Sequence, residues 1–81
     1  MKKILYFTAT WCGPCKMMAP TINELLAEGA LISKVDVDAN QDLVIQYNIK
    51  SVPTFVLTEN GNEIMRKVGA QSKESLKQLL N

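Results

Sequence analysis

Trp11-Cys12-Gly13-Pro14-Cys15-Lys16 holds both cysteines of the chain, separated by two residues. Upstream, Ile4-Leu5-Tyr6-Phe7-Thr8 is a short apolar run rich in strand formers, the pattern of a strand buried on both faces. Downstream, Met18, Ile22, Leu25 and Leu26 recur at the i, i+4, i+7 and i+8 spacing of one helical face, and Gly29 marks the end of that helix. The cysteines therefore stand where a strand gives way to a helix. Gly13 permits a tight turn there, and Pro14 sets φ for the first helical turn without needing a donor. Pro20 lies inside the periodic pattern and predicts a kink rather than a stop, because the periodicity resumes beyond it.

Further along, Leu31 to Val37 reads as a second strand with Leu31, Ile32, Val35 and Val37 as its apolar content. Asp36 and Asp38 interleave with the two valines near its end. Asn40 is placed to cap a short helix in which Leu43, Val44 and Tyr47 share a face, ending at Asn48. Val52 to Thr58 is a third strand opened by Pro53, where a missing N–H is tolerated. Glu59-Asn60-Gly61-Asn62 is a hairpin turn, since Asn-Gly tolerates positive φ. Ile64 to Val68 returns antiparallel to the third strand, and its Arg66 and Lys67 suit a sheet edge. Gly69-Ala70 ends it, and Ser72 caps a last helix with Leu76, Leu79 and Leu80 facing inward. The order β-α-β-α-β-β-α predicts an α/β fold. Two parallel strands joined by a right-handed crossover are followed by an antiparallel hairpin, giving a four-stranded mixed sheet flanked by helices.

A chain of 81 residues reads as one domain, residues 1–81, near the size at which a single core becomes marginal. The net charge is +1, from nine basic and eight acidic residues, so neither nucleic acid nor a membrane surface is an implied partner. No run approaches the ~20 apolar residues of a membrane-spanning helix. Met1-Lys2-Lys3 before Ile4-Leu5-Tyr6-Phe7 begins like a leader peptide, yet the apolar run stops after four residues with no small-residue cleavage site. Two cysteines are too few for a disulfide-stapled secreted scaffold. A cytoplasmic monomer is expected, a setting in which such a pair is catalytic or metal-binding rather than structural. There is no histidine, which removes the commonest general base and metal ligand together.

A thiol pair at this spacing can close into a disulfide and reopen at little structural cost. Exchange begins when a thiolate attacks a disulfide sulfur, so the first cysteine must be exposed and partly ionised near neutrality. Cys12 falls at a helix N-terminus, where free N–H groups and the helix dipole favour an anion. Such placement lowers a thiol pKa from ~8.5 toward ~7. Cys15, one turn further in, should be more buried and act second, attacking the mixed disulfide at Cys12. Two other readings compete. The pair could be half of a zinc site, but two cysteines without histidine fill four positions only with carboxylates, a dimer or an added thiol. It could be two core cysteines, for which the intervening Gly13-Pro14 has no packing purpose. No bound metal is expected.

The six-residue stretch is similar to the active-site motif of the thioredoxin family. Val35-Asp36-Val37-Asp38 with Asn40 resembles the family's second motif, Ser51-Val52-Pro53-Thr54 its proline loop, and Val68-Gly69-Ala70 its substrate-groove glycine. Order and spacing fit over nearly the whole chain, without the additional N-terminal strand and helix of full-length thioredoxins, so the resemblance implies the minimal thioredoxin fold. It further implies a protein-disulfide reductase that cycles between a Cys12–Cys15 disulfide and the dithiol, with no bound cofactor. Electrons would come from NADPH or another donor through a thioredoxin reductase-type partner, since the chain has no GxGxxG fingerprint of its own. Disulfide-containing proteins would be the substrates. Trp11, Gly13, Pro14, Val52, Pro53, Gly69 and Ala70 would form the substrate groove, with Pro53 in the cis form and Trp11 in an exposed apolar platform. Lys16 reads as a solvated lysine of the first helical turn. Lys34 matches a family lysine near the active site, and a solvated strand lysine is an equal reading.

One position departs from the family. Six residues before the first cysteine, thioredoxins usually carry a buried aspartate proposed to move protons to and from the second cysteine. Here that residue is Tyr6, and a phenol is a poor base near neutrality; Thr8 stands where a family tryptophan is common. The expectation is that Cys15 loses its proton to the departing thiolate or to water. Two further functions stay open. One is a glutaredoxin-like, glutathione-dependent reductase, disfavoured by Gly-Pro where Pro-Tyr is usual and by Gly61-Asn62-Glu63 where glutathione-binding members carry paired aspartates. The other is a redox-independent binding subunit of a larger assembly, engaged through Trp11, Pro53 and Gly69. A metal or cluster bridged across a dimer is a lesser possibility.

Overall fold

In the computed structural model, which describes residues 1–81, the first apolar run becomes β1 (Lys2–Thr8), with Ile4, Leu5, Tyr6 and Phe7 all buried. The strand is buried on both faces because it is central. The sheet order is β2-β1-β3-β4, with β2 (Ile32–Asp36) parallel to β1 and β3 (Thr54–Glu59) antiparallel to it. The remaining strand, β4 (Asn62–Val68), pairs antiparallel with β3 and forms the second edge. This is the α/β, four-stranded mixed sheet that the sequence pattern predicts.

Strand alternation sorts the core into two layers. Ile4 and Tyr6 face a cluster with Met18, Ile22, Leu25, Leu76 and Leu79, contributed by helices α2 (Ala19–Ala27) and α4 (Lys73–Leu80) and the junction before α2. Leu5 and Phe7 face the opposite way and pack with Val35, Val56 and Tyr47, covered by α3 (Gln41–Gln46). The helices thus lie on both faces, as the alternation of apolar residues requires.

The kink expected at Pro20 appears two residues earlier. Helix α1 (Gly13–Met17) ends, Met18 forms a one-residue junction, and α2 begins at Ala19. The proline ring excludes the carbonyl four residues before it, that of Lys16, so the break falls in the preceding turn. The Met18 N–H bonds to the Cys15 carbonyl at 3.1 Å, and regular bonding resumes with Ile22 N–H to Met18 O at 2.9 Å.

The second strand is shorter than expected at both ends, running from Ile32 to Asp36, with Leu31, 47% exposed, before it and Val37 after it. The third begins at Thr54 rather than Val52, since Pro53 has no N–H to give the ladder. Asn60 and Gly61 have φ of 54° and 86°, so the hairpin turns in two residues and β4 starts at Asn62, ahead of Ile64. Asn48, at φ 53°, ends α3 as expected. Asn40 occupies the cap of α3 without a side-chain cap bond; its amide donates to the Asp36 carbonyl at 3.0 Å instead. Ser72 does cap α4, its Oγ accepting from Ser75 N–H at 3.1 Å.

Candidate active site

The C-terminal end of β1 delivers the chain to the cysteines. Cys12 is the N-cap of α1, in extended conformation, and Pro14 follows in the first turn. The Cys12 and Cys15 sulfurs are joined in a disulfide across a Cα–Cα separation of 5.2 Å. Cys12 Sγ accepts from the Cys15 N–H at 3.2 Å. A backbone donor aimed at this sulfur stabilises a thiolate there once the disulfide is opened.

The two cysteines are almost equally covered, at 5% and 4% exposure, whereas the sequence reading expected Cys12 exposed and Cys15 more buried. The reason is packing from the ends of β1 and β2 and from the loop before β3. Ala9, Val37 and Val52 pack around both residues, and Cys12 Sγ lies 3.7 Å from the Val52 carbonyl, which would accept from the reduced thiol. The peptide bond between Val52 and Pro53 is cis, as the family resemblance implied. The Pro53 carbonyl in turn accepts from Gly69 N–H at 2.8 Å. Gly69 has φ of 91°, a left-handed value that a side chain would strain. That single bond brings the end of β4, with Gly69 and the exposed Ala70, to the same rim as Val52 and Pro53.

Trp11 is 66% exposed, and its ring N–H donates to an Asp38 carboxylate oxygen at 2.9 Å. Asp38 is a site residue that the sequence reading used only as part of a motif. Its alternation with Asp36 at the strand end was the available signal. Asp36 organises the same loop, its Oδ1 accepting from Asp38 N–H at 2.9 Å. Gly13 and Pro14 are exposed beside Trp11, and so is Lys16. Val37 is a second residue passed over, read as strand content but packed against the cysteines.

Tyr6, in place of the expected family acid, is 3% exposed and stacks on Phe55 with ring centroids 4.8 Å apart. Its hydroxyl donates to the Cys15 carbonyl at 3.2 Å. The phenol therefore ties β1 to α1 directly beneath the cysteine pair. Lys34 is exposed. No group of three or more histidine, cysteine, aspartate or glutamate side chains is placed to hold a metal ion. No helix is long and apolar enough to cross a membrane.

Comparison with known proteins agrees with this geometry. The Thioredoxin family model matches residues 1–81. A thioredoxin of Staphylococcus aureus is 44% identical over 82 residues, covering 98% of this chain and 79% of its own length. Among solved structures, a mutant thioredoxin from Halobacterium salinarum superposes with a TM-score of 0.89 at 39% identity, over 98% of this chain and 71% of that one. Oxidised mitochondrial thioredoxin 3 from Saccharomyces cerevisiae gives a TM-score of 0.82 at 36% identity, over 98% and 76%. A disulfide formed across one helical turn, on a sheet shared with these relatives, places the chain in the thioredoxin family as a thiol–disulfide oxidoreductase.

Proposed function

We propose that the chain works as a single domain, residues 1–81, that reduces disulfides of other proteins and is itself re-reduced by a separate reductase of the thioredoxin reductase type. Cys12 attacks the substrate disulfide, and Cys15 attacks the resulting mixed disulfide, releasing reduced substrate and leaving the Cys12–Cys15 bond. The protein binds no cofactor of its own; electrons reach it from NADPH or another donor through that partner. It acts as a monomer in the cytoplasm, where a thiol pair is kept reduced.

The observation that carries this reading is the convergence on Cys12 of a donor and an open rim. The Cys15 N–H points at its sulfur, and the Val52–Pro53 and Gly69 backbones meet beside it. Trp11, Gly13, Pro14, Val52, Gly69 and Ala70 form the surface for the substrate, with Pro53 buried beneath it as the cis residue that sets the path of the Val52 backbone. An extended substrate segment finds the exposed ring of Trp11 on one side and the half-buried Val52 and Gly69 with the exposed Ala70 on the other. This combination suits peptide rather than a small thiol.

Insulin reduction tests it in two arms, with NADPH oxidation as the readout. One arm supplies thioredoxin reductase; the other supplies glutathione reductase and glutathione. Turnover in the first arm alone is expected. Turnover only in the second would assign the protein to glutathione-dependent reduction. Cys12→Ser should abolish turnover in either case. If partner binding persisted in a Cys12→Ser, Cys15→Ser double variant while the wild type reduced nothing, the protein would be a binding subunit instead.

A further inference from the structure

A cavity of about 190 Å³ opens beneath the second cysteine, bounded by Tyr6 and Thr8 of β1, Lys34 and Asp36 of β2, and Cys15 and Lys16 of α1. The register explains why these residues meet. Tyr6 pairs with Lys34 and Thr8 with Asp36, and alternate residues of a strand share a face. That face is the one covered by α2, since Tyr6 and Ile32 belong to its cluster. The cavity shares no residue with the Val52–Pro53 rim and has room for several water molecules.

Cys15 is 4% exposed, yet as the second thiol it must lose a proton before it can attack. The groups around the cavity differ in what they can accept. Lys16 and Lys34, as ammonium groups, only donate, and Thr8 and Thr10 are neutral hydroxyls. The Tyr6 hydroxyl spends its proton on the Cys15 carbonyl, so it serves α1 as a tie. Asp36 is the one carboxylate lining the cavity. Its Oδ1 accepts from Asp38 N–H, which leaves the other oxygen to water. The charged groups around Asp36 are Lys34 from its own strand, Lys16 from α1, and Asp38 two residues on, itself engaged by Trp11.

We propose that Asp36 is the proton acceptor for the resolving step, reached from Cys15 through water in this cavity. The proposal rests on the reading of Cys15 as the second thiol. From the mixed disulfide of Cys12 with substrate, the Cys15 S–H proton passes through water to the Asp36 carboxylate. The Cys15 thiolate attacks Cys12 Sγ, the Cys12–Cys15 bond forms, and the Cys12–substrate S–S bond breaks. The substrate sulfur leaves with the electron pair and takes a proton from solvent. Asp36 then returns its own proton to the cavity water.

The reduced protein mixed with excess dithiobis-nitrobenzoate separates the two steps. Attack by Cys12 releases the first thionitrobenzoate, and attack by Cys15 on the adduct releases the second. Asp36→Asn keeps an acceptor oxygen for Asp38 N–H, so the loop and the Trp11 contact are preserved. The second release should slow ~100-fold or more near neutral pH, as for loss of a general base, with the first unchanged. Its rate should then climb with pH toward the wild-type value as hydroxide takes over. Asp36→Glu should restore part of the rate. Equal second-release rates in wild type and Asp36→Asn would overturn the proposal, and so would an equal slowing of both releases. Cys15→Ser must show no second release; if it does, the role of Cys15 is wrong, a failure distinct from that of Asp36.

Discussion

Tyr6 is the residue at which chemistry and packing are hardest to separate. Its ring belongs to the larger core cluster, while its hydroxyl holds the Cys15 carbonyl at 3.2 Å. Tyr6→Phe keeps the stack on Phe55 and removes one buried hydrogen bond, a loss of ~1 kcal/mol. In a domain of this size that lowers the midpoint of thermal unfolding by about 4–8 °C, readable by circular dichroism. An unchanged midpoint would mean that the bond contributes nothing to stability. Trp11 behaves differently because it is exposed and its ring N–H bonds to the exposed Asp38. Trp11→Phe should raise KM for insulin several-fold while leaving the unfolding midpoint within experimental error. A large fall in stability would contradict its place on the surface.

At the scale of elements, the β3–β4 hairpin and the α2–α4 contact make separate demands. Gly61 sits at φ 86° in the two-residue turn, where a Cβ meets no steric obstacle but the backbone angle itself is unfavourable. Gly61→Ala should therefore cost ~1 kcal/mol, measured by urea unfolding, with activity at permissive temperature unchanged. Helices α2 and α4 are linked by Glu28, which receives Lys73 and, at 3.4 Å, Lys77. The hydrogen bond from Lys73 holds the Glu28 carboxyl below its ordinary range, and the same bond raises the Lys73 ammonium. A lowered carboxyl contributes its stability in full above the ordinary carboxylate range and loses it as pH falls through the lowered value. The raised ammonium contributes in full below the ordinary lysine range and loses it as pH rises through the raised value. Lys73→Met should flatten the acid limb of a stability–pH curve. Glu28 is exposed and Lys73 half-buried, so water still reaches the pair and the effect should also shrink with added salt; parallel acid limbs in wild type and variant would rule the contact out as a contributor.

For the whole molecule, the redox state and the fold are coupled. The Cys12–Cys15 bond closes a small loop, and constraining a loop of that size in the unfolded chain stabilises by about 2 kcal/mol. Reduction with excess dithiol should lower the urea midpoint correspondingly, and equal midpoints would refute the coupling. Much of this architecture was legible beforehand because its signals are local. The apolar run of β1, Asn60-Gly61 at the hairpin, Ser72 before α4 and the helical spacing of Met18, Ile22 and Leu25 each act within a few residues, although Leu26, expected on the same face, is exposed. Backbone sterics and burial of a face decide them without reference to distant chain. The cysteine pair was equally plain, since its spacing and its place before a helix are sequence properties. Contacts between residues far apart in the chain were not legible: Trp11 with Asp38, Cys12 with the Val52 carbonyl, Gly69 with Pro53, and Cys15 with Tyr6, Lys34 and Asp36 around one cavity. They depend on the registers in which β1 meets β2 and β3 and, for Gly69 with Pro53, in which β3 meets β4, and a one-residue slip would turn every side chain to the opposite face. Local pattern thus determined the elements and the reactive pair, while the coverage of Cys12 and the surroundings of Cys15 were decided by strand pairing, because only pairing sets which distant residues share a face.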